Sequence, residues 1–95
     1  MKVLFLDTVH PVLAQRLTAA GMRCHDGTHL TREDLLHAQN LPHPVEALVL
    51  RSRLSLDAAM LEGLPNLRWI ARSGSGLENI DLEAARARGV AVHNS

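Results

Sequence analysis

Short apolar runs alternate along the chain with segments of helical periodicity. Residues 3–6 and 47–50 are continuous apolar runs, which are typical of strands buried on both faces of a parallel sheet. Leu13, Leu17 and Ala20 lie at helical spacing between two strand-like segments and predict a helix with one apolar stripe. The pattern therefore predicts strands and helices that alternate from the start of the chain.

Residues that favour helix termini stand at the boundaries of the helical segments. Pro11 opens the first predicted helix, where its missing N–H removes no hydrogen bond. Thr31, with Asp34 three residues further on, forms a capping-box-like start for the second helix. Asp57 and Asp81 are candidate N-caps of two more helices. The sequence thus predicts a helix in each interval between strands.

Weaker apolar segments predict the remaining strands, at residues 22–25, 67–71 and 90–92. Gly21 and Gly89 precede the first and last of these segments and can end helices by adopting positive φ. Because a helix separates each pair of consecutive strands, the strands are expected to pair in parallel, as in an α/β domain. An antiparallel α+β domain would need hairpin turns, and the sequence has no recognisable one.

Composition excludes several functions. Lysine plus arginine total 10 and aspartate plus glutamate total 10, so no net charge favours binding to nucleic acid or to an anionic membrane. Phe5 and Trp69 are the only aromatic residues, too few for a platform that stacks nucleotide bases. No apolar run approaches the ~18 residues of a membrane span. Cys24 is the single cysteine, and a cytoplasmic, disulfide-free protein is expected.

The most informative stretch for chemistry is the glycine turn, which we define as residues 72–76: Arg72, Ser73, Gly74, Ser75 and Gly76. It directly follows a predicted strand. Two glycines allow the backbone to approach a ligand closely, and successive N–H groups in such a turn can bind an anion. The arginine supplies a charge suited to carboxylate or phosphate. A tight turn that requires glycine and binds nothing is the alternative.

Polar residues also follow two other predicted strands. Arg51, Ser52 and Arg53 follow the third strand, and Asp7 and Thr8 follow the first. Because the carboxyl ends of parallel strands meet at one edge of the sheet, we expect Asp7, Thr8, Arg51 and Ser52 to converge with the glycine turn on an anion-binding site. Solvated charge at a strand end is the alternative for the two arginines.

No catalytic, cofactor or metal residue can be assigned from the remaining motifs. The dinucleotide pattern G-x-G-x-x-G would need a third glycine where Asn79 stands. His25 and His29 have a spacing of four residues, but Gly27 lies between them in a predicted turn. A single cysteine, Cys24, argues against a zinc site, and its expected role is that of a small, half-buried apolar residue.

From Arg51 onward, the chain resembles the D-isomer-specific 2-hydroxyacid dehydrogenases, especially the D-3-phosphoglycerate dehydrogenase branch. Residues 49–53, 66–85 and 88–95 carry the resemblance, and the glycine turn followed by Asn79, Ile80 and Asp81 is its most specific block. The first fifty residues fit the family only in outline. The resemblance implies a flavodoxin-like substrate-binding domain over residues 1–95, with the strand order 2-1-3-4-5.

The resemblance also implies roles for individual residues. The N–H groups of Ser75 and Gly76 would hold the substrate carboxylate, and Arg51 and Arg72 would face its anionic tail, with Ser52 beside the first arginine. The full set of substrate-binding residues is Arg51, Ser52, Arg72, Ser73, Gly74, Ser75 and Gly76. The family usually has an aliphatic or small residue at position 75 and aspartate where Glu78 stands, so the particular hydroxy acid stays open.

By the same resemblance, the NAD-binding domain and the catalytic residues would follow Ser95. The chain is therefore expected to be an inactive fragment of an NAD-dependent, homo-oligomeric enzyme that acts on a small anionic 2-hydroxy or 2-oxo acid. A freestanding anion-binding or regulatory module is the alternative. A receiver-like signalling domain is disfavoured because Asp7 stands alone and no lysine follows the last strand.

The expected strand order has a consequence for exposure. Right-handed crossovers put the first helix on one face of the sheet and the next three helices on the other. The first face then lacks a final covering helix within residues 1–95. Val90, Val92 and their neighbours on strands three and four are therefore expected to form an exposed apolar strip that promotes self-association.

Overall fold

The computed structural model describes residues 1–37, 44–73 and 79–94, in which strands and helices alternate as predicted. The elements, in chain order, are β1 (Lys2–Phe5), α1 (Pro11–Ala19), β2 (Arg23–Asp26), α2 (Arg32–Leu36), β3 (Ala47–Leu50), α3 (Ala58–Glu62), β4 (Trp69–Arg72), α4 (Leu82–Ala87) and β5 (Ala91–Asn94). The strands form one parallel sheet in the order β2-β1-β3-β4-β5, which confirms the predicted fold. Over the described ranges, no helix has the length and apolar character to cross a membrane.

The predicted helix caps are present. The Thr31 hydroxyl accepts the Asp34 N–H at 3.3 Å, and the Asp34 carboxylate accepts the Thr31 N–H at 2.8 Å, so both halves of a capping box are formed. Asp57 and Asp81 each accept the N–H three residues further on at 3.0 Å. These side chains satisfy N–H groups that have no partner within the helix, and so they fix where α2, α3 and α4 begin.

Side chains that alternate along the strands divide the apolar core between the two faces of the sheet. Leu48, Leu50 and Ile70 belong to the larger cluster, which packs under α2, α3 and α4. Ala47 and Val49 face the other way, into a smaller cluster with the partly buried apolar residues of α1. All four residues of β3 are fully buried, as the continuous apolar run predicted.

The predicted apolar strip at Val90 and Val92 is wrong. Val90 is only 7% exposed, and Val92 is half-buried against the larger cluster. Val92 pairs with Ile70 in the sheet and therefore shares its face, which the helices α2 to α4 cover. On the α1 face of β5, the exposed residues are Ala91 and His93. The register of β5 thus turns Ala91 and His93, and not Val92, toward the less covered side.

The capping box makes the stability of the fold depend on pH. The N–H and the hydroxyl of Thr31 donate to Asp34 and lower the pKa of its carboxyl below the ordinary value of 3.8. Because folding favours the ionised form, its contribution is complete above that value and is lost as the pH falls through the lower, folded-state pKa. The same direction holds for Asp57, whose carboxyl accepts from Arg32 and Met60.

We predict that Asp34→Asn removes this titration. The unfolding free energies of the parent and the variant should differ most near neutral pH, and the difference should shrink between about pH 5 and pH 2. Urea unfolding followed by circular dichroism across that range measures it. A difference that stays constant with pH would show that the ionised carboxylate contributes nothing beyond the cap geometry.

Candidate functional site

The carboxyl ends of β1 and β3 border an open cleft of about 440 Å³, a volume within the usual range of ligand pockets. Its walls are Leu6, Asp7, Thr8, Thr28, Arg51, Ser52 and Arg53. The sheet topology thus brings together four of the residues expected to converge, which are Asp7, Thr8, Arg51 and Ser52. Ligand binding by these residues remains a prediction.

Asp7 holds the loop that carries the candidate ligands. Its carboxylate accepts the N–H of Arg51 at 2.5 Å, across a separation of 44 residues. The Asp7 side chain is only 12% exposed, so water competes little for this bond. The main chain of Arg51 is therefore fixed against the end of β1, although the residue as a whole is exposed at the cleft.

Arg53 lines the cleft and is exposed as a residue, but its guanidinium is bound to main-chain carbonyls. Its guanidinium donates to the Leu6 carbonyl from Nε at 2.9 Å and from Nη2 at 2.7 Å. Nη1 donates to the Leu30 carbonyl at 2.7 Å, and Nε lies 3.8 Å from a carboxylate oxygen of Asp7. The Arg53 guanidinium thus connects the loop after β3 to Leu6, which follows β1, and to Leu30, which precedes α2.

Arg72 lies at the end of β4, where it pairs with Leu50. It does not line the cleft, but it is connected to it through Asn79. The Asn79 Oδ1 accepts from Nε of Arg72 at 2.8 Å, and its Nδ2 donates to the carbonyls of Arg51 at 2.9 Å and Leu54 at 3.0 Å. The two arginines expected to bind an anion therefore stand at neighbouring strand ends.

The described part of the glycine turn extends the sheet. The Ser73 N–H donates to the Leu50 carbonyl at 2.9 Å and so continues the pairing of β3 with β4. Gly74, Ser75 and Gly76 lie outside the described residues. Their predicted contact with a substrate carboxylate therefore stays a prediction.

A second cleft of about 300 Å³ adjoins the first, between the start of α1 and the end of β2. His10, on its wall, accepts the Val12 N–H at 3.2 Å and acts as the N-cap of α1. Asp26 accepts the N–H and the hydroxyl of Thr28, at 2.9 and 2.7 Å, and these bonds lower the pKa of its carboxyl. Cys24 is half-buried there, as predicted. These groups serve local structure.

The charged groups at the sheet edge suit the binding of an anion, which remains a prediction. The described residues contain no group of three or more histidine, cysteine, aspartate or glutamate side chains placed to hold a metal ion. Arg51, Arg53 and Arg72 stand at this edge together with the carboxylate of Asp7. The guanidinium groups of Arg51 and Arg72, with the adjacent hydroxyl of Ser52, suit a carboxylate or phosphate.

Sequence reasoning missed the roles of two residues that organise the site. Asp7 was expected beside a ligand, but its carboxylate binds main chain. Asn79 was noted as the residue that breaks a dinucleotide pattern and as part of the block that carries the resemblance, but it was given no role in the site, although it bonds to both arginine-bearing segments. Its position within the block that ends in Asp81 was the available signal.

A family model for the D-isomer specific 2-hydroxyacid dehydrogenase catalytic domain matches residues 3–95. The D-3-phosphoglycerate dehydrogenase of Archaeoglobus fulgidus is 34% identical over 95 residues, which are 100% of this chain and 18% of that protein. The Homo sapiens D-3-phosphoglycerate dehydrogenase is 30% identical over 94 residues, which are 99% of this chain and 17% of that protein. The chain thus spans less than a fifth of these curated relatives.

Solved structures of longer chains share the fold. The TT0316 protein from Thermus thermophilus matches with a TM-score of 0.79 and 30% identity, over 97% of this chain and 29% of that one. The NAD+-bound 3-phosphoglycerate dehydrogenase of Entamoeba histolytica matches with a TM-score of 0.78 and 20% identity, over 99% of this chain and 32% of that one. At the lower identity, the match shows the fold alone.

The contacts of Arg53 generate a prediction about stability. Arg53→Ala should lower the unfolding free energy by about 1.5–3 kcal/mol, because charge-assisted bonds to main-chain carbonyls are lost. Arg51→Ala, at an exposed position two residues away, should change it by less than about 0.5 kcal/mol. Urea unfolding of the two variants measures the contrast. Equal effects of the two substitutions would contradict the structural role of Arg53.

Proposed function

The chain belongs to the D-isomer-specific 2-hydroxyacid dehydrogenase family, and we propose that it is the substrate-binding part of an NAD-dependent enzyme that oxidises the CH–OH group of a D-2-hydroxy acid. Residues 1–95 then form a partial substrate-binding domain, whose partner in catalysis is an NAD-binding domain of the same enzyme. We place the enzyme in the cytoplasm and propose that it acts as a homo-oligomer.

We propose 3-phosphoglycerate as the substrate, and hence a role in serine biosynthesis. The observation that carries this choice is the connection of Arg51 to Arg72 through Asn79, at neighbouring strand ends. A phosphorylated hydroxy acid has two anionic groups, whereas an unphosphorylated monocarboxylate such as lactate has one. Two guanidinium groups beside an N–H-rich turn match the doubly anionic substrate better.

The proposed roles divide the substrate between two sets of residues. Arg51, Arg72 and the Ser52 hydroxyl bind the phosphate end. The glycine turn, through the N–H groups of Ser75 and Gly76, holds the carboxylate. Together they would orient the carbon that carries the hydroxyl toward the second domain.

The sequence at the glycine turn does not fit a dinucleotide-binding motif. The position that a dinucleotide motif reserves for its third glycine holds Asn79, whose amide bonds to a side chain and two carbonyls. We therefore assign no step of hydride transfer to these residues. Cofactor binding belongs, in this proposal, to the other domain.

The proposal predicts that the chain binds 3-phosphoglycerate weakly, with a Kd of about 1 mM, near −4 kcal/mol, because its half of the site stays wet. A titration followed by NMR should shift the amides of residues 73–76. Arg51→Ala and Arg72→Ala should each weaken binding about tenfold or more, whereas Arg16→Ala on α1 should not. Shifts confined to other residues, or equal affinity in all the variants, would refute the site.

The proposal also predicts that the chain alone does not oxidise NADH with phosphohydroxypyruvate, because it assigns the cofactor site and the hydride-transfer residues to the other domain. Absorbance at the NADH band measures turnover, and a full-length D-3-phosphoglycerate dehydrogenase is the positive control. If NADH oxidation above the protein-free rate co-purifies with the chain, the assignment of catalysis to the other domain is overturned.

A further inference from the structure

We infer that Asn79 is a positioning residue that sets the placement of Arg51 relative to Arg72 for one bound anion. This inference rests on the function proposed above, which needs both arginines at a single site. Asn79 itself is half-buried between the two segments and lines no part of the cleft described. It would act through its neighbours and would not touch the substrate.

The Asn79 side chain connects three groups that are distant in sequence or lie on different elements. Its carbonyl oxygen accepts from Nε of Arg72, on β4, at 2.8 Å. Its amide nitrogen donates to the carbonyls of Arg51 and Leu54, in the loop after β3, at 2.9 and 3.0 Å. One planar amide thus fixes an atom of the Arg72 guanidinium and two carbonyls of the loop that begins with Arg51.

Asn79 is itself held in place. Its own carbonyl accepts the Leu56 N–H at 2.7 Å, and the Asp81 N–H donates back to the Leu56 carbonyl at 2.9 Å. These two bonds form an isolated parallel bridge between the segments around Leu56 and Ile80. The side-chain amide therefore projects from a fixed main chain, which is the condition for positioning its partners accurately.

The loop at Arg51 is held from both sides as a result. The Arg51 N–H is bound by Asp7, and the Arg51 carbonyl is bound by Asn79. If the amide were lost, the carbonyl would lose this side-chain donor and Arg72 would lose the acceptor that orients its Nε. Each arginine would then lose more conformational entropy on binding the same anion.

An amide is needed because the site requires an acceptor and two donors from one side chain. Alanine offers neither. Glutamine offers both, on a stem that is one methylene longer, and is the conservative variant. Asn66, an exposed residue before β4, provides a matched control.

The test titrates Asn79→Ala, Asn79→Gln and Asn66→Ala chains with 3-phosphoglycerate by NMR, and it follows the Nε–Hε signal of Arg72. We expect Asn79→Ala to raise the Kd about tenfold, to shift that signal toward the position of an exposed arginine and to speed its exchange with solvent. Asn79→Gln should recover part of the affinity, and Asn66→Ala should match the parent.

Two outcomes separate this inference from the proposed function. If Arg51→Ala and Arg72→Ala leave binding unchanged, the proposed function fails. If they weaken binding but folded Asn79→Ala binds like the parent, only the role of Asn79 fails. If Asn79→Ala does not fold, hydrogen exchange in the parent chain tests the inference. Arg16 is an exposed arginine on α1 and serves as the reference. If the Hε of Arg72 exchanges with solvent as fast as that of Arg16, the inference is overturned.

Discussion

The candidate site depends on the main chain of Arg51, whose N–H is bound by Asp7 and whose carbonyl is bound by Asn79. A strand end has no regular partner for its last peptide groups, so a loop there would otherwise be loosely placed. Here, side chains from the segment after β1 and from the segment before α4 provide those partners. Arg53 adds a third restraint by donating to the Leu6 and Leu30 carbonyls.

The apolar pattern predicted the fold well because few folds are compatible with that pattern. Continuous apolar runs with intervening capped helices require a parallel sheet with helices on both faces, and the caps at Thr31, Asp57 and Asp81 lie where the side chains indicated. The face on which each residue of β5 lies could not be predicted in this way. In the run Val90-Ala91-Val92, every residue is apolar, so the sequence does not indicate which residues are buried.

The sequence predicted only part of the site. The convergence of Asp7 and Arg51 follows from the rule that parallel strands end at one edge. The role of Arg53 could not be predicted, because its carbonyl partners lie 23 to 47 residues earlier in the chain. Hydrogen bonds to distant main-chain groups leave no periodicity or spacing in the sequence. Family membership provides the class of chemistry, and the contacts of the arginines provide the argument for a phosphorylated substrate.

The central claim is that Arg51 and Arg72 act on one bound anion, and a double-mutant cycle tests it most directly. The Kd for 3-phosphoglycerate would be measured in the parent, in both single alanine variants and in the double variant. If both guanidinium groups contact the same ligand, the effects should be non-additive by at least about 0.5 kcal/mol. Effects that add within experimental error would mean that the two arginines act independently, and they would contradict a shared site.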